Sequence, residues 1–317
     1  MAALTGNGLA YVGVIVRDAE AVASTLTRDF ALPRFDFAVG NTGRTAPVFP
    51  LGQSALALFE AGDPFVGGEQ KTGVHHIALA VEDTAAAARR AEVAGFQVSS
   101  PHAKGKGLGG ARRVFLSPDA TAGVRTYMSE PLALERGDSG WVERIDHLGV
   151  ACLDNAAAVE VFSRRLGYPI ESTQTDLEVR TAIESFTSDK YGVVYHSRRP
   201  EIAAGLRVAF VTIGDCDLEF LQNFDPGQGG EVDRRQPGST RQDQGAITRY
   251  IGARGPGLHH IALKVPDIDR AIATLTQVGH SMIDTAGRPG SRLAKIGFIH
   301  PSSLGGLLVH LVQRDAA

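Results

Sequence analysis

The chain has 317 residues, of which 43% are hydrophobic, with a formal net charge of −3 and an isoelectric point near 6.4. A mildly acidic chain without a basic cluster gives no reason to expect a nucleic acid or a membrane surface as a partner. No apolar run approaches the roughly 20 residues of a membrane-spanning helix. Residues 1–8 lack the basic start and apolar core of a signal peptide, so a cytoplasmic protein is predicted.

Four segments along the chain begin alike, each with a short apolar strand followed by an aspartate and a helical stretch. They start at residues 9–14, 73–81, 145–150 and 257–265. The second and fourth share the pattern Gly-[Val/Leu]-His-His-Ile-Ala-Leu, and in both the helical stretch ends at a glycine before further extended segments. An internal repeat of this kind predicts four modules, each of the order strand, helix, strands. Four modules in pairs, over a length suited to about two domains, predict two tandem domains.

Three irregular or inserted segments interrupt the repeat. Residues 131–142 contain a proline, two glycines and charges, and they predict a linker between an N-terminal domain at 1–130 and a C-terminal domain at 143–317. Residues 223–243 predict a loop between the third and fourth modules. The third module carries an extra piece at 184–200, which suits a hairpin with a glycine at its turn and is a natural place for substrate contacts. The two cysteines, Cys152 and Cys216, lie in apolar strands and predict buried thiols.

The C-terminal half resembles the methylmalonyl-CoA epimerases. The segments that carry this resemblance are residues 145–151, 217–221, 247–262, 295–301 and 305–311. These epimerases belong to the vicinal oxygen chelate superfamily, with glyoxalase I, the bleomycin and fosfomycin resistance proteins and the extradiol dioxygenases. The resemblance implies an α+β fold of four βαβββ modules, in which each pair of modules curls into a half-barrel. Four modules in one chain resemble the two-domain dioxygenases and hydroxyphenylpyruvate dioxygenase, in which the C-terminal pair carries a divalent metal.

The resemblance also implies where the metal ligands lie. The family's positions fall on His147, Glu219, His260 and His310 in this sequence, and they imply one divalent ion (Zn, Fe, Co, Ni or Mn). Position 310 departs from the epimerases, which have glutamate there.

The residues themselves favour the same four positions. Period-two alternation puts Ile145, His147 and Gly149 on one strand face, and Asp217, Glu219 and Leu221 on another. Four polar groups buried singly in apolar strands would be costly to desolvate, and a shared cation would satisfy all of them. The alternative is that they are core histidines bonded to the backbone. The same alternation predicts that His75 and His259 face the opposite side, with structural roles. His300 lies in the turn Phe298-Ile299-His300-Pro301, which favours a turn-stabilising role or a place at the edge of the substrate site over a role as a ligand.

The N-terminal half serves as an internal comparison. Its four equivalent positions are Tyr11, Ala57, His76 and Tyr127, a set poorly suited to a first-row divalent ion. This half is therefore predicted to be metal-free, with a role in packing, in dimerisation or in shaping the cleft; the alternative is a vestigial pocket lined by Tyr11, His76 and Tyr127.

Three classes of function follow from the resemblance and the predicted ligands. The favoured class is an isomerase or epimerase that moves a proton through a metal-bound enolate of an acyl-CoA or related small molecule that chelates the metal through two oxygens. The alternative is an Fe(II) dioxygenase, with Glu219 as the carboxylate ligand. The third class, a binding protein like the bleomycin resistance proteins, is weakened by the ligand set because those proteins generally lack the metal. A homodimer is a further possibility.

Catalytic and substrate-binding residues are also predicted. The candidates for proton transfer are Asp217, Tyr191 and His196, and the candidates for binding a substrate carboxylate or phosphate are Lys190, Arg198 and Arg199. For the three basic residues, a solvated charged loop is an equally good interpretation.

Overall fold

The computed structural model describes residues 8–99, 106–135, 140–180, 183–197, 201–224 and 245–314. The N-terminal half contains helices α1 (Ala19–Asp29) and α2 (Thr84–Val93) and strands β1 (Leu9–Val16), β2 (Phe35–Ala38), β3 (Thr45–Leu51), β4 (Ser54–Glu60), β5 (Gly73–Ala80), β6 (Val98–Ser99), β7 (Arg113–Leu116) and β8 (Thr126–Ser129). The order strand, helix, three strands therefore occurs twice in this half.

The C-terminal half repeats that order twice more, with additions. Its strands are β9 (Arg144–Ala151), β10 (Ile170–Arg180), β11 (Ile183–Ser188), β12 (Gly192–Ser197), β13 (Glu201–Ile213), β14 (Cys216–Phe224), β15 (Gly257–Lys264), β16 (Arg288–Pro289), β17 (Lys295–Ile299) and β18 (Val309–Gln313). Its helices are α3 (Asn155–Val159), which continues as a π-helix over Glu160–Arg165, α4 (Ala246–Arg254) and α5 (Ile268–Gln277). The prediction of an α+β fold with four βαβββ modules is confirmed.

An aspartate begins the helix of every module. Asp18, Asp83, Asp154 and Asp267 are the N-caps of α1, α2, α3 and α5, and each carboxylate accepts hydrogen bonds from backbone amides of the first helical turn. A carboxylate suits this position because the first amides of a helix have no partner within it. The repeated aspartate therefore fixes where each strand ends and its helix starts.

The strands form two curled sheets of eight strands with the same topology. The orders are β2-β3-β4-β1-β5-β8-β7-β6 and β10-β13-β14-β9-β15-β18-β17-β16. In each sheet the first strands of the two modules, β1 with β5 and β9 with β15, pair antiparallel at the centre. Each first strand also pairs in parallel with the last strand of its own module. The four first and last strands of a half are therefore neighbours.

The helical faces of both sheets share one core. Leu26 and Phe30 from the N-terminal half belong to the same cluster of buried residues as Leu148 and Phe162 from the C-terminal half. At its edge, His280 Nε2 lies 2.8 Å from Asp29 Oδ2. The halves thus pack through their helical faces, which leaves the opposite, concave face of each sheet to form a separate site.

Two other predictions can be compared with these elements. The third module carries the predicted hairpin, in which β11 pairs with β12 and Gly192 follows the turn with a left-handed φ of 71°. Cys152 and Cys216 are free and buried, as predicted. Most of the predicted 223–243 loop lies outside the described residues. In the part of the chain that the structure describes, no helix is long and apolar enough to cross a membrane.

Candidate metal centre

The strand pairing brings His147, Glu219, His260 and His310 together from four adjacent strands, β9, β14, β15 and β18. Gly149 of β9 lies opposite both Glu219 and His260, and Ala262 of β15 lies opposite both His147 and His310. The four side chains therefore project from the centre of the concave face.

The four side chains converge at distances suited to one shared ion. One nitrogen from each of the three histidines lies within 4.8 Å of the others. Glu219 Oε2 lies 3.3 Å from His147 Nε2 and 3.7 Å from His260 Nε2. All four residues are buried, with at most 5% of their surface exposed.

The inward-facing ring nitrogens have no hydrogen-bond partner. This holds among the described residues for Nε2 of His260 and for both ring nitrogens of His310, whereas Nε2 of His147 faces only the Glu219 carboxylate. Buried polar atoms without partners are costly, and several converging on one point indicate a ligand. Three imidazoles and a carboxylate are a common donor set for divalent transition metals. The residues present therefore fit a divalent metal ion.

Two outer contacts set the imidazoles for that role. His147 Nδ1 lies 2.8 Å from Asp146 Oδ2, and Asp146 also accepts a hydrogen bond from Arg314 at 2.6 Å. His260 Nδ1 lies 3.0 Å from His259 Nδ1. A proton held on the Nδ1 atom of each ligand histidine leaves its Nε2 lone pair free for a metal. Asp146 is not among the predicted site residues, and His259 is predicted to be structural, although each directly precedes a predicted ligand.

The prediction that His75 and His259 face away from the site is wrong, because both sit at β-bulges. Leu258 pairs with Val150 and His260 with Gly149, so His259 is an extra residue in the ladder; His75 is the corresponding extra residue in the N-terminal half. A bulge breaks the period-two alternation on which the prediction depended. His259 consequently lies along the same cavity as His260.

A third bulge corrects the face assigned to Ile145. His147 pairs with Ala262 and Ile145 with Leu263, so Asp146 is the extra residue. Ile145 packs in the core with Leu148 rather than beside His147. His300, in contrast, caps the short turn at Pro301–Leu304, where its ring accepts a hydrogen bond from the Ser302 amide. Of its two predicted roles, the geometry matches the turn-stabilising one.

Buried charges divide the histidines into two protonation classes. Burial alone would lower the pKa of His147, but the neighbouring carboxylates of Glu219 and Asp146 raise it to about 9. Burial likewise opposes ionisation of Glu219, yet His147 and His260 lower its pKa to about 2. Burial holds the pKa values of His260 and His310 well below the ordinary range, so both rings are neutral. Without a metal, the site thus holds a His147–Glu219 ion pair beside two neutral imidazoles.

The ligand cluster opens into a cavity of about 390 Å³ whose walls are mostly apolar. Its ionisable lining residues, apart from the four predicted ligands, are His259, Asp284, Arg288 and Arg314. Asp284 accepts hydrogen bonds from Arg288 Nε at 2.8 Å and from the Phe298 amide at 2.9 Å. The remaining lining includes Leu206, Leu221, Ile247, Ile296, Phe298 and Val312.

None of the other predicted site residues that the structure describes is among the residues that line this cavity. Asp217 accepts a hydrogen bond from the Thr212 hydroxyl and pairs with Arg292, both at 2.8 Å. Lys190 and Tyr191 lie at the turn of the hairpin, where Tyr191 is 67% exposed. His196 is on β12, and Arg198 and Arg199 lie outside the described residues. Catalytic and substrate-binding roles for these six residues stay predictions.

The N-terminal half has the same frame with different contents. Gly13 of β1 lies opposite both Ala57 and His76, as Gly149 lies opposite Glu219 and His260. A methyl group at either glycine would overlap the facing imidazole. Rings of Tyr11 and Tyr127 take the places of two ligand histidines and contact His76 edge-on.

Comparisons with known proteins agree with this architecture. Models of the Glyoxalase/Bleomycin resistance protein/Dioxygenase superfamily match residues 8–120 and 146–298. The mitochondrial methylmalonyl-CoA epimerase of Dictyostelium discoideum is 38% identical over 116 residues, which are 36% of this chain and 59% of that protein. The enzyme of the same name from Bos taurus is 26% identical over 109 residues, which are 34% of this chain and 53% of that protein. The chain thus spans little more than half the length of these relatives.

Among solved structures, a mutant of 4-hydroxymandelate synthase from Streptomyces coelicolor shares the fold across both halves. Its TM-score is 0.63 at 17% identity, and the match covers 98% of this chain and 93% of that one. Two superfamily matches, one to each half, agree with the two eight-stranded sheets and their shared topology. The chain belongs to the Glyoxalase/Bleomycin resistance protein/Dioxygenase superfamily.

Proposed function

We propose that the C-terminal half is a metal-dependent epimerase or isomerase, which removes and returns a proton beside a carbonyl of an acyl-CoA or related substrate. The observation that carries this proposal is the convergence of His147, Glu219, His260 and His310, with their inward nitrogens unpartnered. The identity of the curated relatives as methylmalonyl-CoA epimerases supports the reaction class. A divalent ion held by these residues would supply Lewis acidity that stabilises negative charge on the substrate oxygens.

The chain's own residues prepare the site for that role. His260 and His310 are neutral, so their nitrogens are available without loss of a proton. Asp146 keeps the proton of His147 on Nδ1 and directs Nε2 inward. Three neutral imidazoles and one carboxylate carry one negative charge less than the epimerase set with glutamate at position 310. A weaker negative field leaves a bound cation more electrophilic, and it favours a substrate other than methylmalonyl-CoA.

The cavity limits which part of the substrate it can enclose. A volume of about 390 Å³ lies near the lower end of the usual range for ligand pockets, so it suits an acyl group rather than a whole coenzyme A ester. Arg288 and Arg314 line it and offer guanidinium groups to a substrate carboxylate. The predicted contacts of Lys190, Arg198 and Arg199 would then be made by the part of the substrate that remains outside.

The cavity offers few side chains that could act as the base in proton transfer. Apart from Glu219, the only carboxylate among its described lining residues is Asp284, and both of its oxygens accept hydrogen bonds. His259 is neutral because burial lowers its pKa to about 4. When Nδ1 of His259 accepts a hydrogen bond from His260, Nε2 of His259 carries the proton. His259 can therefore donate a hydrogen bond to the substrate. Asp217, Tyr191 and His196 remain the proposed bases, and they require substrate or hairpin movement to reach the cavity.

This shortage of a free base favours a second candidate, an Fe(II) dioxygenase. Two histidines and a carboxylate are the usual ligands of non-haem iron oxygenases, and such chemistry does not need a protein base beside the substrate. His147, His260 and Glu219 would supply that set, with His310 as an additional ligand. The two-domain fold shared with 4-hydroxymandelate synthase is compatible with this alternative.

The test combines metal analysis with two activity measurements on one preparation. We expect one divalent ion per chain by plasma emission, and deuterium incorporation beside the carbonyl of branched acyl-CoA esters in D₂O, detected by mass spectrometry. His310→Ala should lower metal affinity, while His300→Ala, at an exposed turn, should not. Substrate-dependent oxygen uptake by the iron-loaded protein, tested with catechols and keto acids, would establish the dioxygenase instead. Unchanged metal content and affinity in His310→Ala would refute the four-ligand site.

A further inference from the structure

The N-terminal half buries an arginine that has no carboxylate partner among the described residues. Arg113 of β7 is 5% exposed, and neither of its Nη atoms makes a hydrogen bond. Its guanidinium lies 4.0 Å from the centre of the Phe65 ring and 4.3 Å from that of Tyr127. Aromatic faces stabilise a cation but cannot accept its five N–H groups in the ring plane. Among the described residues, no carboxylate therefore balances the charge of Arg113, and its two Nη atoms lack a well-formed hydrogen bond.

More unpartnered polar atoms surround this guanidinium. The Tyr11 hydroxyl and the Nε2 atoms of His75 and His76 make no hydrogen bond with described residues, and Tyr11 and His76 are at most 1% exposed. The Tyr11 and Tyr127 rings lie 5.5 Å and 5.1 Å from the His76 ring. Burial raises the pKa of Tyr11, whereas the charge of Arg113 and its contact with the Tyr11 hydroxyl lower it, so the guanidinium lies beside that hydroxyl. Five buried polar atoms from four residues thus lack partners in one region.

The strand register places this cluster at the counterpart of the metal centre. Phe115 pairs with Tyr127 as Phe298 pairs with His310, so Arg113 occupies the position of Ile296. Ile296 lines the cavity of the C-terminal half. The N-terminal half therefore has a guanidinium at a place where the other half has an aliphatic wall, and it has alanine, Ala57, in place of the ligand carboxylate.

We propose that this cluster binds one small monovalent anion, a halide or a carboxylate the size of formate. The anion would accept hydrogen bonds from Arg113 Nη1 and Nη2 and from the Tyr11 hydroxyl, and it would neutralise the buried charge. The rings of Phe59, Phe65 and Phe115 pack around the same face and limit the ligand to a few atoms. An organic substrate larger than formate is therefore not the ligand of this cluster.

The histidine pair can serve the anion through a change of tautomer. His75 Nδ1 and His76 Nδ1 are 2.8 Å apart, so one of them donates to the other. If His75 donates, His76 carries its proton on Nε2 and becomes a donor toward the anion. The equivalent His260 requires the opposite tautomer to bind a metal. One pair of adjacent histidines would thus serve an anion in one half and a cation in the other.

Thermal unfolding of the full-length, metal-loaded protein tests the proposal. Chloride would be titrated against gluconate, which is much larger than the proposed ligand, at constant ionic strength, with formate as a separate titration. We expect a saturable rise in Tm of about 2–4 °C once chloride exceeds its dissociation constant tenfold. A response to formate alone would identify a carboxylate as the ligand, and a response to chloride alone would identify a halide.

Matched variants locate the effect. Arg113→Met should abolish the chloride response, whereas Arg112→Met, which removes an exposed arginine paired with Glu130, should retain it. If Arg113→Met does not fold, Tyr11→Phe removes only the hydroxyl and should weaken anion binding about tenfold. If chloride produces the response, diffraction from a bromide-soaked crystal should show an anomalous peak beside Arg113. The proposal would be overturned by the lack of a response to either anion, by responses of Arg113→Met and Tyr11→Phe equal to that of the parent protein, or, after a chloride response, by bromide bound elsewhere as an adventitious ion only.

Discussion

Replacing Asp146 with asparagine tests whether the carboxylate behind His147 prepares the metal centre. Asp146 Oδ2 contacts both His147 Nδ1 and Arg314 Nη2, while Oδ1 lies 3.2 Å from Arg144 Nη2. The asparagine oxygen can keep the two shorter contacts if its NH₂ group faces Arg144. The hydrogen bond to His147 then persists but loses its ionic component, and two donors oppose each other at Arg144.

The expected loss of metal affinity follows from these contacts. Changes to residues that orient metal-binding histidines usually lower affinity by about 10–100-fold. Asp146→Asn keeps the oxygen that faces His147, so its metal affinity should be lower about tenfold, or by about 1.4 kcal/mol. Asp146→Ala leaves His147 Nδ1 without an acceptor, so its metal affinity should be lower about 100-fold, or by about 2.8 kcal/mol. Both variants also leave Arg314 without its carboxylate partner, so the free energy of unfolding should fall by about 1–3 kcal/mol.

Metal affinity would be measured by chelator competition with zinc and cobalt, at a temperature well below unfolding of every variant. Asp217→Asn is the matched control, because its carboxylate pairs with Arg292 and the Thr212 hydroxyl rather than with a predicted ligand, although its backbone pairs with His147 in the sheet. Its metal affinity should stay within about threefold of the parent protein. Equal losses in Asp217→Asn and Asp146→Asn would show that general destabilisation, and not the orientation of His147, causes the effect.

Three further outcomes are expected. Because Glu219 and Asp146 raise the pKa of His147 to about 9, metal binding must release that proton, and affinity should rise about tenfold per pH unit between pH 6 and 8; calorimetry in buffers of different ionisation enthalpy counts the proton. Gly13→Ala and Gly149→Ala should each destabilise the fold by about 1–3 kcal/mol through overlap with the facing imidazole, but only Gly149→Ala should weaken metal binding in chelator competition. Burial alone would raise the pKa of Asp63, but hydrogen bonds from Arg44 and the Phe65 amide lower it. The stabilisation that ionised Asp63 contributes is therefore present above the ordinary carboxyl pKa and is lost as the pH falls through the lowered value. The difference in unfolding free energy between the parent protein and Asp63→Asn should therefore be constant above about pH 5 and shrink below about pH 4, by urea titration.

The sequence predicts the fold well because the same local signals occur four times. Each module has an apolar strand, an aspartate that caps the next helix and a set of later strands, so an error in one copy is visible against the others. The hairpin at 184–200 is also predictable, since its β-branched and aromatic residues flank a glycine. The position of the hairpin turn relative to the cavity depends on packing that no local pattern encodes.

The residues behind the ligands are harder to predict than the ligands. Alternation correctly groups His147 with Gly149 and Glu219 with Asp217, but it fails at Ile145, His75 and His259. Each failure comes from a bulge, which depends on the partner strand and leaves no pattern in the strand's own sequence. Arg314 is beyond local reasoning too, because it meets Asp146 across 168 positions of sequence.

The shared frame is compatible with the proposed cation in one half and the proposed anion in the other. In both halves a glycine on the first strand leaves room for an imidazole from the facing strand, and a bulge adds a second histidine behind it. Backbone geometry therefore fixes only one group of each site. The charge of the ligand is decided by the other positions: Glu219 favours a cation, whereas Arg113 together with Ala57 disfavours one. Conversion of the N-terminal half into a metal site would accordingly require removal of Arg113 as well as addition of ligands.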